Sequence, residues 1–116
     1  MTPKFLVEVK DSGTTVVVNV QGEVDVYTGH ELNNVFKDVI DRGKKEIVLN
    51  LENTQYIDST GLGIIAYAAR NLSQREGKIN VVSVRPQVMK IFEMSGLSKK
   101  NIYFFDKEAE ALQDIS

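Results

Sequence analysis

The chain has 116 residues, of which 14 are Lys or Arg and 16 are Asp or Glu, so its formal net charge is −2. This length fits one domain, which we expect to span residues 1–116, and a hydrophobic content of 42% is enough for one core. The acidic balance argues against direct nucleic-acid binding, which uses a basic face. With no cysteine and one histidine, cysteine- and histidine-based metal sites are excluded, and we expect no metal and no cofactor.

The sequence carries no targeting or membrane signal. Its N-terminus leads into a strand pattern without the apolar stretch of a signal peptide. The longest uncharged runs, 12–22 and 59–69, have 11 residues each, whereas a membrane helix needs about 20 apolar residues. We therefore expect a cytoplasmic protein that does not enter a membrane.

The first part of the chain predicts a β-hairpin followed by a helix. Residues 5–10 alternate with a period of two, which predicts a half-buried strand, and the turn residues 11–13 lead into a β-branched, antiparallel second strand over 14–21. The period then becomes helical, with Thr28 as the expected cap and Gly43 as the expected end. The apolar positions of this helix are Leu32, Val35, Phe36, Val39 and Ile40.

The rest of the chain predicts strands that alternate with helices. The expected strands cover residues 47–49, 79–84 and 102–105. The expected helices run from Ser59 to about Arg75, from Pro86 to Gly96 and over 107–115, after a loop over 52–58. Helices between successive strands imply parallel strands. We therefore expect an α/β fold, with a mixed β-sheet of four to five strands and about four helices packed on it.

The most informative segment is 56–63, which reads Tyr-Ile-Asp-Ser-Thr-Gly-Leu-Gly. It delivers Ser59 to a helix N-terminus, where free N–H groups and the helix dipole suit an oxyanion or a phosphate. Gly61 and Gly63 each cost about 1 kcal/mol of helix stability relative to alanine, so close approach of a partner or of another backbone segment should favour them. A simpler interpretation also stays open, in which Ser59 is an N-cap and the glycines allow tight helix packing.

Enzymatic interpretations of this segment are weak. No Gly-Lys-Ser or Gly-Lys-Thr follows, as a phosphate-binding loop requires, and Ile57 stands where a serine-hydrolase elbow has glycine. His30 is the only candidate base, and it begins a different helix. We therefore expect no enzyme activity and no catalytic residues.

Two acids, Glu23 and Asp25, lie between the second strand and the first helix. In the simplest interpretation they face the positive end of the helix dipole. If the second and third strands are parallel, however, their carboxyl ends share one edge of the sheet, where open α/β sheets place their sites. Asp25, Asp58 and Ser59 would then cluster there, with Arg85 near the same edge.

Taken together, these segments resemble the signature of STAS-domain proteins, most closely the stand-alone bacterial anti-sigma factor antagonists. The resemblance is carried by four motifs in order, at 22–25 (Gly-Glu-Val-Asp), 48–51 (Val-Leu-Asn-Leu), 56–63 and 92–97 (Phe-Glu-Met-Ser-Gly-Leu). It covers nearly the whole chain and implies a single STAS-like domain.

The resemblance also implies a partner-switching function. In this family the unphosphorylated antagonist binds an anti-sigma factor that is also a serine kinase, which frees the sigma factor. Phosphorylation switches this binding off, and a serine phosphatase reverses it. Carried onto this sequence, the phosphate acceptor is Ser59. In many members a second serine directly follows the acceptor, and here Thr60 holds that position and is the weaker candidate. The surroundings expected to bind the partner are Glu23, Asp25, Asp58, Thr60, Gly61, Leu62 and Gly63.

Two other functions remain in competition. One is a STAS scaffold subunit of a stress-signalling assembly, in which Ser59 or Thr60 tunes the scaffolding. The other is a nucleotide-binding or hydrolytic domain that uses the same helix N-terminus. For the leading function, we expect the phosphate to block binding by its charge and by desolvation, without refolding the domain.

Overall fold

The computed structural model describes residues 4–97 and 100–114, in which a five-stranded sheet carries helices on both faces. The strands are β1 (Leu6–Ser12), β2 (Thr15–Val24), β3 (Glu46–Ile57), β4 (Lys78–Val82) and β5 (Ile102–Phe105). The helices are α1 (Gly29–Asp41), α2 (Ser59–Ser73), α3 (Pro86–Ser95) and α4 (Glu108–Gln113). The strands lie in chain order, with β1 antiparallel to β2 and every other neighbouring pair parallel. The predicted mixed α/β sheet is confirmed.

The alternation of β2 divides the interior into two clusters. Val16, Val18 and Val20 face the main core, which α1, α2 and α3 cover. Val17 faces a smaller cluster on the opposite side, which α4 covers through Ala111. The apolar stripe predicted for α1 is confirmed, since Leu32, Phe36, Val39 and Ile40 are buried and Val35 packs partly against them.

β3 is longer than the sequence predicts. The expected loop over 52–58 is instead strand as far as Ile57, which pairs with Val24 at the end of β2. The buried Thr54 hydroxyl donates to the Val20 carbonyl at 2.9 Å. The loop prediction is wrong. The segment is polar, which is typical of a loop, but its backbone groups pair with β2, and composition alone does not reveal that pairing.

β1 is less buried than its alternation predicts. Only Val7 of its seven residues is partly buried, and the other six are exposed. The strand lies at one edge of the sheet, so α1 covers little of it. Alternation therefore identified the strand correctly but overstated its burial.

Two predicted helix ends also need correction. Thr28 occupies the N-cap position of α1, but its side chain makes no capping hydrogen bond. Its hydroxyl donates instead to the Glu23 carbonyl at 2.8 Å. The closing helix runs over Glu108–Gln113 rather than 107–115, and residue 115 lies outside the described residues. None of the helices in the described segments has the length and apolar character needed to cross a bilayer.

Polar contacts attach α4 to the sheet. Asn50 Nδ2 donates to Glu108 Oε1 at 2.9 Å, and the buried Asn80 Nδ2 donates to the Ala111 carbonyl at 2.9 Å. Lys78 Nζ lies 2.8 Å from Asp114 Oδ2. Because α4 has six residues, its position depends on these side chains more than on its own helical hydrogen bonds.

The Lys78–Asp114 pair makes the attachment of α4 sensitive to acid. The hydrogen bond from Lys78 holds the pKa of the Asp114 carboxyl below its usual value of 3.8, aided by the Lys78 charge and by Asn80. A lowered folded-state pKa means that the stabilisation is complete above the unfolded-state pKa and is lost as the pH falls through the folded value. We expect amide protection in α4 to drop in hydrogen-exchange NMR as the pH falls below the usual carboxyl value of 3.8 and through the lower folded-state pKa of Asp114. Asp114→Asn should show a smaller drop, and equal drops in both proteins would contradict the assignment to this carboxyl.

Candidate functional site

The paired ends of β2 and β3 build the candidate site. Val24 and Ile57 are the last paired residues, and the Asp58 N–H donates to the Val24 carbonyl at 3.1 Å. β4 ends earlier, where Val82 pairs with Asn50. The two strands therefore continue beyond β4 as a two-stranded extension, which brings the chain after Val24 and the chain after Ile57 together at its tip.

Asp58, rather than Ser59, caps α2. Its carboxylate Oδ1 accepts from the Gly61 N–H at 2.9 Å, and its carbonyl accepts from the Leu62 N–H at 3.0 Å. Of the unpaired N–H groups that begin a helix, those of Ser59 and Thr60 remain for solvent or a ligand. The interpretation of Ser59 as an N-cap is therefore wrong.

Ser59 is an exposed residue in the first turn of α2. Its hydroxyl makes no hydrogen bond to any of the described residues, so the fold around it does not depend on that hydroxyl. Thr60 is exposed as well, and it lines a groove against α1. Both residues are exposed, and neither hydroxyl takes part in the cap.

Asp25 organises the connection from β2 to α1. Its Oδ1 accepts from the Tyr27 N–H at 2.9 Å and from the Thr28 N–H at 3.1 Å. The Thr28 hydroxyl also accepts from the Asp25 N–H at 3.0 Å. This reciprocal turn fixes a negative charge directly after β2, next to the strand end that Asp58 follows.

The structure does not bring every predicted residue to this tip. Glu23 pairs with Tyr56, so its side chain lies on the opposite sheet face from the buried Val24. Arg85 donates through Nε to the Glu52 carbonyl at 3.1 Å, five residues before the end of β3. Asp25, Asp58, Ser59 and Thr60 therefore form the candidate site, with Glu23 behind them and Arg85 lower on the sheet edge.

The two glycines of α2 have different surroundings. A methyl group added at Gly61 would lie 2.6 Å from Val24 Cγ1 and 3.0 Å from the Val24 carbonyl oxygen. The same group at Gly63 would meet no atom within 4 Å. Gly61 is therefore required by packing inside the fold, and Leu62 beside it is buried in the main core. Gly63 is exposed, and no internal contact explains a residue that weakens the helix there.

A shallow groove between α1 and α2 begins at Thr60. It is lined by Val26, His30, Asn33, Thr60, Gly63, Ile64 and Tyr67. Two of its lining side chains are large and open to solvent, with Val26 62% and Tyr67 58% exposed, and Tyr27, next to Val26 in the chain, is 82% exposed. None of these three residues was among the predicted site residues. The available signal was that Tyr67 lies off the apolar stripe of α2, where a polar residue is expected.

Comparison with known proteins identifies the family. The STAS domain model matches residues 7–111. The anti-sigma-B factor antagonist of Staphylococcus aureus is 39% identical over 80 residues, which are 69% of this chain and 74% of that protein. A crystal structure of an anti-sigma factor antagonist from Mycobacterium paratuberculosis has a TM-score of 0.87 at 25% identity, covering 97% of this chain and 94% of that one.

A second solved structure is the Bacillus cell fate determinant SpoIIAA in its phosphorylated form. It is 25% identical with a TM-score of 0.76, and the match covers 97% of this chain and 100% of that one. The family-model match spans most of the chain, and each of the two solved structures matches 97% of it. The chain therefore belongs to the STAS-domain family.

Proposed function

We propose that this protein is an anti-sigma factor antagonist whose binding is switched off by phosphorylation of Ser59. In its unphosphorylated form it binds an anti-sigma factor with serine kinase activity and thereby releases a sigma factor. The observation that carries this proposal is the exposed Ser59 on the first turn of a helix that Asp58 already caps. The similarity to antagonists from Staphylococcus and Mycobacterium supports it.

The surface around Ser59 suits a protein partner better than a small substrate. The groove between α1 and α2 is shallow, its lining residues Val26 and Tyr67 are exposed, and so is Tyr27 beside Val26. Exposed aromatic side chains are typical anchors of protein interfaces. Gly63 leaves room for the partner to lie close against the first turns of α2. Binding rather than catalysis is therefore the proposed activity of this domain.

Local charge explains how a phosphate would act. It adds about −1.5 to −2 charge at pH 7, directly beside Asp58 and near Asp25. The two free N–H groups at the start of α2 favour this charge in the free protein. A partner pressed against the site would have to desolvate it, which costs several kcal/mol without a matching cation. The phosphate would therefore oppose the complex more than it disturbs the folded chain.

The proposed switch is reversible and acts between proteins. A serine phosphatase would restore the binding form. The protein would act in the cytoplasm, through contacts with proteins rather than with nucleic acid. Similarity to SpoIIAA, which was solved in a phosphorylated form, supports a phosphorylated state of this chain, and the exposure of Ser59 supports it as the acceptor.

The test is reconstitution with an anti-sigma factor from the same cell. We expect the purified chain to bind it and to displace its sigma factor in a competition assay followed by size-exclusion chromatography. With ATP, the anti-sigma factor should transfer one phosphate to the chain, which peptide mass spectrometry should place on Ser59. A chain that displaces no sigma factor from any anti-sigma factor of that cell would overturn the proposal.

Tyr67 should be an affinity anchor of this surface. Its side chain is 58% exposed, so Tyr67→Ala should change the free energy of unfolding by less than about 0.5 kcal/mol. The same change should weaken binding to the anti-sigma factor by about tenfold or more in calorimetry. Tyr103→Ala is the matched control, because Tyr103 is 48% exposed on β5 at the far edge of the sheet. Equal losses in the two variants would mean that the partner does not use the groove.

A further inference from the structure

The outer edge of β1 is a second surface that the proposed function does not use. β1 ends the sheet, and among the described residues its only strand partner is β2. An edge strand presents a row of unpaired N–H and C=O groups to any further strand. Two of its apolar side chains are also open to solvent, with Leu6 45% and Val9 42% exposed.

The pleat decides which side chains a further strand would meet. Val7, Val9 and Asp11 pair with Val20, Val18 and Val16 of β2, so they lie on the sheet face that α1, α2 and α3 cover. The residues between them, Leu6, Glu8, Lys10 and Ser12, lie on the opposite face. In an antiparallel pair, directly opposed side chains lie on the same face of the sheet. A residue of β1 can therefore oppose only a residue of the second copy that lies on the same face.

Counting only residues of β1 (Leu6–Ser12), self-pairing has one register that opposes complementary charges. A symmetric pair of β1 strands is related by a two-fold axis perpendicular to the sheet. The axis must pass at the level of one residue, because an axis midway between two residues would oppose side chains that lie on different faces. An axis at Val9 opposes Glu8 to Lys10 of the second copy, twice by symmetry, and opposes Val9 to its counterpart. An axis at Glu8, Lys10 or Asp11 would oppose two like charges.

The sheet face covered by α1, α2 and α3 supports the same register. A shallow groove between β1 and α1 is lined by Val9, Val35 and the polar residues Glu31, Asn34, Asp38 and Arg42. Val35 is only partly buried against the main core. The axis at Val9 would bring two such grooves together, so that both copies of Val9 and Val35 lose solvent contact around it.

We propose that β1 pairs antiparallel with β1 of a second copy of this chain, in the register centred on Val9. The charges of Glu8 and Lys10 discourage pairing with unrelated strands, as edge charges commonly do, while this register turns them into two ion pairs. The contact involves a seven-residue strand on each side, so a concentration-dependent dimer is expected rather than a permanent one. The tip that carries Ser59 follows β2 and β3, which leaves it accessible in such a dimer.

Charge reversal tests the register. In sedimentation velocity over a concentration series, wild-type protein should show a monomer–dimer equilibrium. Glu8→Lys alone and Lys10→Glu alone should each raise the dissociation constant about tenfold, because each opposes like charges at two places. An equimolar mixture of the two variants should recover wild-type affinity as a heterodimer, since every opposed pair is again of opposite sign. Both positions are exposed, so neither variant should unfold.

A cysteine substitution gives an independent test, because the natural chain has no cysteine. Val9→Cys should form a disulfide-linked dimer under mild oxidation, since residues opposed across an antiparallel pair have Cβ atoms about 4.5–5.5 Å apart. Leu6→Cys is the control, because in this register Leu6 faces Ser12 of the second copy. Equal crosslinking of the two variants, failure of the charge-reversal mixture to recover, or a wild-type monomer at every concentration would overturn the proposal.

Discussion

Phosphorylation of Ser59 should weaken binding to the anti-sigma factor by about a hundredfold or more, because like charges held together in a desolvated contact cost several kcal/mol. Asp58 supplies the nearest fixed charge, since its carboxylate is held by the Gly61 N–H. Ser59→Ala should bind as tightly as the wild type and accept no phosphate. Isothermal titration calorimetry on the three forms, with intact-mass measurement of each, gives the comparison.

Thr60→Ala is the matched control for the acceptor. Thr60 is exposed on the same helical turn, so removing its hydroxyl leaves the cap intact. Thr60→Ala should still be phosphorylated once and should still lose binding when it is. If the kinase instead modifies Ser59→Ala and leaves Thr60→Ala unmodified, the acceptor is Thr60 and the proposed residue is wrong.

The phosphate should act without rearranging the fold. The Ser59 hydroxyl has no hydrogen-bond partner among the described residues, so its modification breaks none of their contacts. In 15N NMR spectra, shifts should be confined to the first turn of α2 and the neighbouring turn at Asp25. Chemical-shift changes across the main core would contradict this mechanism and indicate a conformational switch.

Gly61→Ala should lower the free energy of unfolding by about 1–3 kcal/mol, whereas Gly63→Ala should raise it by up to about 1 kcal/mol. The difference comes from surroundings, because a methyl group at Gly61 meets Val24 at 2.6 Å and one at Gly63 meets nothing within 4 Å. Urea denaturation of the two variants measures both changes.

The same pair separates folding from binding. Gly63→Ala should weaken binding to the anti-sigma factor by about tenfold despite its stable fold, because the added methyl occupies space that the partner would use. Gly61→Ala should reduce binding only in proportion to the fraction of the protein that is unfolded. A Gly63→Ala protein with unchanged affinity would show that the partner does not approach this turn of α2.

Local patterns in the sequence were enough to predict the order of elements and their type. The helical spacing of Leu32, Phe36 and Val39 depends on neighbours along the chain, and it predicted the correct buried face of α1. Parallel pairing followed from the helices between strands, because a crossover is required to bring consecutive strands into parallel contact. The four motifs identified the family for the same reason, since each is contiguous in sequence.

Only the tertiary structure decided what each residue at the site does. Pairing with β2 turned the expected loop before Asp58 into strand, and the geometry of the strand end made Asp58 the cap and left Ser59 exposed. Contact with Val24 explained Gly61 but not Gly63. These outcomes depend on atoms distant in sequence that meet only once the sheet forms. Composition and periodicity reflect only local conformational preferences. They could identify the segment, but they could not tell which of its residues serve the fold and which are left for a partner.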